Sequence, residues 1–408
     1  MSRALILVGG TVMGSGLLYV QAAQRLGLRP ITLSDDPSRY DTFGAKDVTT
    51  VRVDTDDLDA LIGECSRLRE TYQIAGITAA LDSVYATVGK LCRHFDLPGP
   101  NPEAIEQCCD KYTQRQLLAA SGVPIPEYRL ATNAAEVEAS AEEIGLPVII
   151  KPAAGSGSVG VRLCRTAREV AEHTNNILGG QHRGGHAPRI LVEEFAHGGP
   201  AYGVDTMGDE VVGISTGHCC PPPHFVYRDA TYPAALNNEE HERSIIDISL
   251  SSLRALGLGW GPVGIEVQWT ERGPVIIEVN PRLHGSPTPQ MVHLAYGVDL
   301  ITEHIKLAIG EELDLRKRRS QTAAARYLVA DRDGTLDWIA GESEAAAIPG
   351  VAEVKFYVQP KALIIRKGDY RDCLGHVIAA SSSLPRAEAI LQCAVDLIRW
   401  SITSQEHS

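Results

Sequence analysis

Gly264-Ile265-Glu266-Val267-Gln268-Trp269 and Val275-Ile276-Ile277-Glu278-Val279-Asn280 are two alternating runs joined by a short turn containing Gly273. That is the layout of a β-hairpin. With the three-residue loop Glu271-Arg272-Gly273, Gly273 taking the positive φ of a bulge, Glu266 falls opposite Glu278. Their Cβ atoms are then about 5 Å apart on one face, which is unfavourable between like charges unless a cation lies between them. Asn280, two residues on, joins that face. Two carboxylates and an amide oxygen form a hard half-shell with space left for phosphate and water, suited to Mg²⁺ or Mn²⁺ rather than Zn²⁺. Pro281-Arg282 sets a guanidinium just beyond, where it can neutralise a developing oxyanion. The alternative is a solvated strand face carrying two unrelated glutamates, which makes no use of Arg282.

Further toward the N-terminus, Lys151-Pro152-Ala153-Ala154-Gly155-Ser156-Gly157-Ser158-Val159-Gly160 places a cation at the end of one apolar strand and a glycine-serine loop before the next. A Walker loop would run into a helix through Gly-Lys-Ser/Thr, which is absent here. The loop reads either as a flap laying backbone N–H groups on phosphates, with Lys151 supplying charge, or as an exposed turn. Another glycine cluster, Gly9-Gly10-Thr11-Val12-Met13-Gly14-Ser15-Gly16, does not keep the dinucleotide spacing. It reads as the tight strand-to-helix turn of a parallel sheet.

The 408 residues carry 38 Lys and Arg against 51 Asp and Glu, a formal charge of −13. That balance argues against a protein held mainly by nucleic-acid phosphates or an anionic membrane surface. No run approaches the roughly 20 apolar residues of a bilayer span, and the start, Met1-Ser2-Arg3, lacks a signal-peptide pattern. A soluble, cytoplasmic protein is expected. Nine scattered cysteines are expected to be reduced, and the vicinal pairs Cys108-Cys109 and Cys219-Cys220 cannot make a Cys-x-x-Cys zinc knuckle.

The order of patterns predicts an α/β protein, with α+β character in its later part. Strands are expected at Ala4 to Val8, Pro30 to Leu33 and Ile74 to Ala80, with helices at Leu17 to Leu26 and Asp57 to Tyr72. This is a doubly wound parallel-sheet domain over residues 1–100, closed by Leu97-Pro98-Gly99-Pro100. A linker helix, Lys111 to Ser121, occupies residues 101–125. A small domain over 126–196 carries the flap, helices at Ala134 to Ile144 and Ala167 to Leu178, and a strand at Arg189 to Glu193. Residues Gln181 to Pro188 read as a mobile turn. A larger domain covers 197–408, with a long helix at Glu239 to Leu256 and a C-terminal subdomain from about 322.

Asp110-Lys111, Lys151 with its glycine flap, Val192-Glu193-Glu194-Phe195, Glu266, and Glu278-Val279-Asn280-Pro281-Arg282 occur in an order that resembles the ATP-grasp superfamily of carboxylate–amine ligases. The resemblance covers essentially the whole chain. It implies that Lys111 and Lys151 contact ATP phosphates and that the flap, including Gly155, Ser156, Gly157, Ser158 and Val159, closes over them. It also implies that Glu193, Glu194, Phe195 and Ala196 form the hinge receiving adenine, and that Glu266, Glu278 and Asn280 hold Mg²⁺ or Mn²⁺. Arg282 would stabilise the acyl phosphate and the tetrahedral adduct. One departure stands out. Where many members carry a Glu in Gly-x-Glu-x-x-Val, this chain has Ala201.

Gly217-His218-Cys219-Cys220-Pro221 and the tail after residue 322 look most like the L-amino acid ligases, which make dipeptides, often in antibiotic pathways. On that resemblance His218 faces the substrate carboxylate or acyl phosphate, and His224, Tyr232, His284, Gly285 and Ser286 are further pocket candidates. The alternative for His218 is a histidine satisfied locally at a strand end. The expected function is an ATP-dependent ligase joining an amino acid or small carboxylic acid to an amino acid. It would release ADP and phosphate, with small-molecule substrates, no nucleic acid or membrane partner, and a homodimer as the expected assembly. A bicarbonate- or formate-activating enzyme of the biotin or purine type, and a non-catalytic nucleotide-binding regulator, are the competing readings.

Overall fold

A computed structural model describes residues 1–9, 15–37, 48–180 and 189–404. The centre of the first glycine cluster and the expected turn at 181–188 lie outside the described residues. Strands β1 (Arg3–Val8), β2 (Arg29–Ser34), β3 (Thr49–Arg52) and β4 (Gln73–Thr78) form a parallel sheet in the order β3-β2-β1-β4. β1 is buried from Ala4 onward because helices cover both faces, as a parallel sheet requires. The topological switch lies between β1 and β4, so the loop after β4 opens on the crevice where such sheets place ligands.

Strands β5 (Tyr128–Ala131), β6 (Val148–Pro152), β7 (Arg162–Cys164) and β8 (Ile190–Glu194) make an antiparallel sheet ordered β5-β8-β6-β7. Helices Ala134–Ile144 and Ala167–Leu178, capped by Asn133 and Thr166, pack their apolar stripes on one face of it. The flap connects β6 to β7.

An eight-stranded sheet follows. Its members are β9 (Gly198–Met207), β10 (Glu210–Cys219), β11 (Tyr227–Tyr232), β12 (Pro262–Thr270), β13 (Gly273–Asn280) and β14 (Thr322–Val329). β16 (Val351–Phe356) and β18 (Cys373–Ser381) complete it, in the order β13-β12-β9-β10-β11-β14-β18-β16. The tail beyond residue 322 thus extends the sheet that carries the two glutamates. β15 (Gly334–Ala340), β17 (Leu363–Ile364) and β19 (Arg399–Thr403) form a separate three-stranded sheet.

The hairpin differs from expectation in one respect. Thr270 pairs with Gly273, leaving a two-residue turn, and the register shifts between Glu266 and Val267 instead, where Ile277 becomes the extra residue. The shorter turn and the displaced bulge offset one another. Glu266 still pairs with Glu278, and Gly264 with Asn280.

The first sheet is fastened to the large one by a buried core that includes Ile6, Ile31 and Val88 together with Val204, Ile265 and Val279, and by another that joins Leu5 and Leu7 to Met207 and Val212. His304, on the helix Leu300–Ala308, pins the junction. Its Nδ1 meets the Tyr19 hydroxyl at 2.6 Å, and its Nε2 meets Tyr85 at 2.9 Å and Thr78 at 3.1 Å. Burial pushes His304 down to about 3, so it is neutral and serves as a hydrogen-bonding pin. No helix among the described residues is long and apolar enough to cross a membrane. At the same junction, a Cβ on Gly76 of β4 would collide with the carbonyl of Ala308. Gly76→Ala should lower stability by roughly 1–3 kcal/mol through overpacking, read as a shift of the urea midpoint.

Candidate active site

The carboxylate face is assembled from strand alternation. Glu266 pairs with Gly203 of β9, and Gly203 with Ser215 of β10. One row along, Asp205, Gly264 and Asn280 share the same face. Edge strand β13 has no strand beyond it, so its outer backbone groups need other partners. The helix Lys111–Ala120 supplies them. The Gln114 amide accepts from Val279 N–H at 3.0 Å and donates to Val279 C=O at 2.9 Å, and Arg115 donates to the carbonyl of the bulged Ile277. Pro124 C=O accepts from Ile276 N–H at 2.9 Å.

This clamp sets the helix N-terminus beside Glu278. Asp110 caps the helix through Thr113 N–H at 2.8 Å and receives Arg189 at 2.8 Å. Lys111 therefore starts the helix, and its ammonium lies 2.8 Å from Glu278 and donates to Gly155 C=O of the flap. Burial works against the Lys111 charge, but Glu278 and then Asp82 outweigh it and hold the ammonium protonated. Burial would likewise raise the Glu278 carboxyl, yet Lys111 and Lys151 bring it below its ordinary range.

Glu266 stands differently. It accepts from the Tyr227 hydroxyl at 3.2 Å. Burial, then repulsion from Glu278, raises its pKa despite nearby His284 and Arg282. A half-buried carboxylate opposite a second carboxylate and beside a buried Asn280 is the donor set a hard divalent cation fits. Among the described residues no three His, Cys, Asp or Glu side chains group into a metal site by themselves. The two carboxylates and the amide would need phosphate and water to complete a shell.

Lys151 and Glu193 form a second buried centre. Lys151 Nζ lies 2.6 Å from one Glu193 oxygen and Arg115 Nε 2.7 Å from the other, all three side chains being nearly inaccessible. The Glu193 carboxylate is therefore turned inward onto the two cations. Glu194 pairs with Arg272 at 2.6 Å, and Phe195 stacks on His197 as the chain leaves β8, with Ala196 half-buried between them.

The flap crosses from β6 to β7 with positive φ at Gly155, Gly157, Ser158 and Gly160, while Ser156 and Val159 lie between them. Gly157 is required twice, by its φ of 68° and by the Tyr370 ring resting where a side chain would begin. Tyr370 N–H also donates to Gly157 C=O at 3.3 Å, so the C-terminal region holds the flap, while Leu163 N–H of β7 donates to Pro223 C=O at 2.9 Å on the loop between β10 and β11.

Arg282 donates to Asp82 at 3.0 Å and to Leu283 C=O at 2.9 Å. Asp82, on the loop after β4, escaped the sequence reading, although the crevice rule for parallel sheets marks that loop. Arg115 escaped it too, and its position four residues after Lys111, on the same helix face, was the available signal. His284 lies over Gly203 and Gly264 with Nδ1 2.9 Å from Asp205. Burial opposes its charge, but Asp205 and then Glu266 raise its pKa. Gly285 is exposed, and Ser286 accepts from Gln290 at 3.0 Å. Ala201 lies exposed on the carboxylate face opposite Gln268, whose amide is tied to Gly199 C=O at 2.7 Å.

Two expected pocket residues are corrected. Tyr232 is fully buried and packs edge-on against Tyr296 in the apolar core. His218 pairs with Asp229 across β10 and β11 and with its carboxylate at 2.6 Å. Three residues from Ser215, it falls on the opposite face of the sheet from Glu266. His224 lies against Gly368, away from the carboxylates' own strands.

A family profile described as the carbamoyl-phosphate synthase L chain, ATP binding domain, matches residues 110–316, and one described as L-amino acid ligase C-terminal domain 2 matches 326–403. The chain belongs to the ATP-grasp ligases. The ligase is 59% identical over 403 residues to "Uncharacterized protein y4rH" of Sinorhizobium fredii (strain NBRC 101917 / NGR234), covering 99% of this chain and 84% of that one. It is 27% identical to carnosine synthase 1 of Homo sapiens over 409 residues, covering 93% of this chain but 49% of the relative, about half its length. The fold is that of an L-amino acid ligase from Bacillus licheniformis, with a TM-score of 0.84, 19% identity and 99% of each chain covered. The enzyme is thus an ATP-dependent C–N ligase with mixed α/β architecture.

The buried charges of this ligase allow a ranked test. Glu193→Gln leaves Lys151 and Arg115 facing each other without an anion and should cost roughly 3–5 kcal/mol in urea unfolding. A loss below about 1 kcal/mol would show that the triad is not held dry.

Proposed function

We propose that this ligase activates the carboxylate of an amino acid or small acid as an acyl phosphate and joins it to the amine of an amino acid. ADP and phosphate are the co-products. The observation that carries the reading is the half-buried Glu266–Glu278 pair with Lys111 on one side and Arg282 on the other.

A carboxylate is a poor electrophile at neutral pH because its charge repels an amine and its leaving group would be oxide. Transfer of the γ-phosphoryl group makes a new O–P bond at the carboxylate and breaks the bridge to ADP. The amine then attacks the carbonyl carbon, loses a proton, and expels phosphate. Glu266, Glu278 and Asn280 would hold Mg²⁺, which when bound offsets the charge of the phosphates.

In this reading Lys111 and Lys151 exchange some of their carboxylate contact for phosphate oxygens when nucleotide enters. The flap, already held by Tyr370, excludes water that would hydrolyse the acyl phosphate. Arg282 stabilises the oxyanion, and Asp82 holds the guanidinium in place from the first domain. Phe195 and Ala196 at the end of β8 provide the adenine-side edge of the cleft.

Incubation with Mg²⁺, ATP and pooled amino acids should release phosphate and ADP together with a new amide mass. Formation of AMP and pyrophosphate would contradict the acyl-phosphate route. Arg282→Ala should lower kcat by about 100- to 1,000-fold while leaving ATP binding nearly intact. Loss of ATP binding alone would remove the role assigned to Arg282.

A further inference from the structure

The face bearing Glu266 continues beyond the catalytic strands into a polar cluster that the reaction scheme does not use. Gly217 pairs with Ala230, Ala230 with Ala325, and Ala325 with Ile378. Alternation then puts Tyr327 of β14 and His376 of β18 on this same face, paired in register. The Tyr227 ring, whose hydroxyl reaches Glu266, is 6.0 Å from the Tyr327 ring. A seam of polar groups therefore leads from the carboxylates to His376.

His376 is completely buried. Its Nδ1 lies 2.5 Å from the Tyr357 hydroxyl, and its Nε2 is 3.5 Å from a Glu353 oxygen, too far for a good hydrogen bond. If Tyr357 donates to Nδ1, the ring hydrogen sits on Nε2 and points toward Glu353. Gln290 approaches Glu353 and donates to Ser286 at 3.0 Å, and among the described residues its carbonyl oxygen has no partner. Ser286 follows Arg282 by four residues, so the loop joining them runs from the reaction centre to this cluster.

The available chemistry is one-sided. Burial would raise the Glu353 carboxyl, but contacts with His376, Lys355 and Gln290 bring it below its ordinary range, so it is ionised. Glu353 and the Gln290 carbonyl are both acceptors: the Glu353 side chain is 30% exposed and so within reach of a ligand, while the Gln290 oxygen is buried and, among the described residues, unmatched, which is costly. N–H or O–H groups satisfy them, and a cationic donor satisfies the carboxylate best.

We infer that Ser286, Gln290, Glu353 and His376 form a subsite for the protonated primary amine of a substrate whose reacting end lies at Arg282. This rests on the ligase reading above and names the chemistry that reading leaves open. The amine can belong to the acid donor, as its α-amino group, or to the acceptor, as a side-chain amine. In either case Glu353 and Gln290 are specificity determinants, and His376 is a positioning residue that orients Glu353.

ADP release with Mg²⁺ and ATP is measured using two probe pairs, L-alanine against propionate as donor and L-lysine against L-norleucine as acceptor. Each probe is offered with the twenty common amino acids as co-substrates one at a time, and the ADP that each co-substrate releases by itself is subtracted. In at least one pair the amine-bearing member should be favoured by more than about ten-fold in kcat/KM. Glu353→Gln and Gln290→Leu should each bring that ratio toward unity while the KM for ATP holds, a selectivity change that a merely structural defect would not produce. A ratio of unity in both wild-type pairs, or a preference that survives both substitutions, would overturn the subsite while leaving the ligase standing. No ADP release with any combination would instead sink the ligase reading, and the subsite with it.

Discussion

Two carboxylates facing one another across a single antiparallel strand pair are the constraint around which this molecule is organised. Glu266 and Glu278 are both half-buried, and in that setting each pushes the other toward the neutral acid. Lys111 relieves Glu278 by direct contact, whereas Glu266 accepts a hydrogen bond from a phenol, with His284 and Arg282 nearby. The imbalance shows where positive charge is missing. It also explains why the surrounding side chains are arranged so rigidly: a loose lysine or a slipped register would leave two like charges confined together. Gln114 and Arg115 prevent both, because the same helix that presents Lys111 hydrogen-bonds the exposed edge of β13.

The same centre draws in every layer of the fold. Asp82 reaches Arg282 from the loop after β4, and the flap meets Tyr370 of the C-terminal region. The parallel sheet is thereby more than a neighbour: it supplies a carboxylate to Arg282 and is locked to the helix Leu300–Ala308 through His304. The strands after residue 322 extend the carboxylate face, and that continuity is what brings His376 and Glu353 onto the same surface as Glu266.

Local pattern carried the reading furthest where one strand or helix decides the outcome. The helices Ala134–Ile144, Ala167–Leu178 and Glu239–Leu256 were legible from periodicity and caps. The Glu266–Glu278 pairing was legible too, although through two compensating features, since the bulge sits at Ile277 and not at the turn. The helix Pro102–Cys109 went unread despite Asn101 and Pro102 at its start. His218 shows why motif order is weaker than geometry, because the pleat sends it to the far face while its sequence neighbour Cys219 stays near Glu266. Asp82, Arg115 and the Glu353–His376 cluster depend on contacts across long sequence separations, which no local spacing encodes.

The central claim is that Glu266 and Glu278 grip a divalent ion only together with nucleotide phosphates. Binding of Mn²⁺ followed by electron paramagnetic resonance, with and without ADP, tests it directly. The account predicts tight Mn²⁺ binding that requires ADP and weakens by more than about ten-fold in Glu266→Gln and in Glu278→Gln. Mn²⁺ affinity that is indifferent to ADP, or unchanged in both variants, would contradict it.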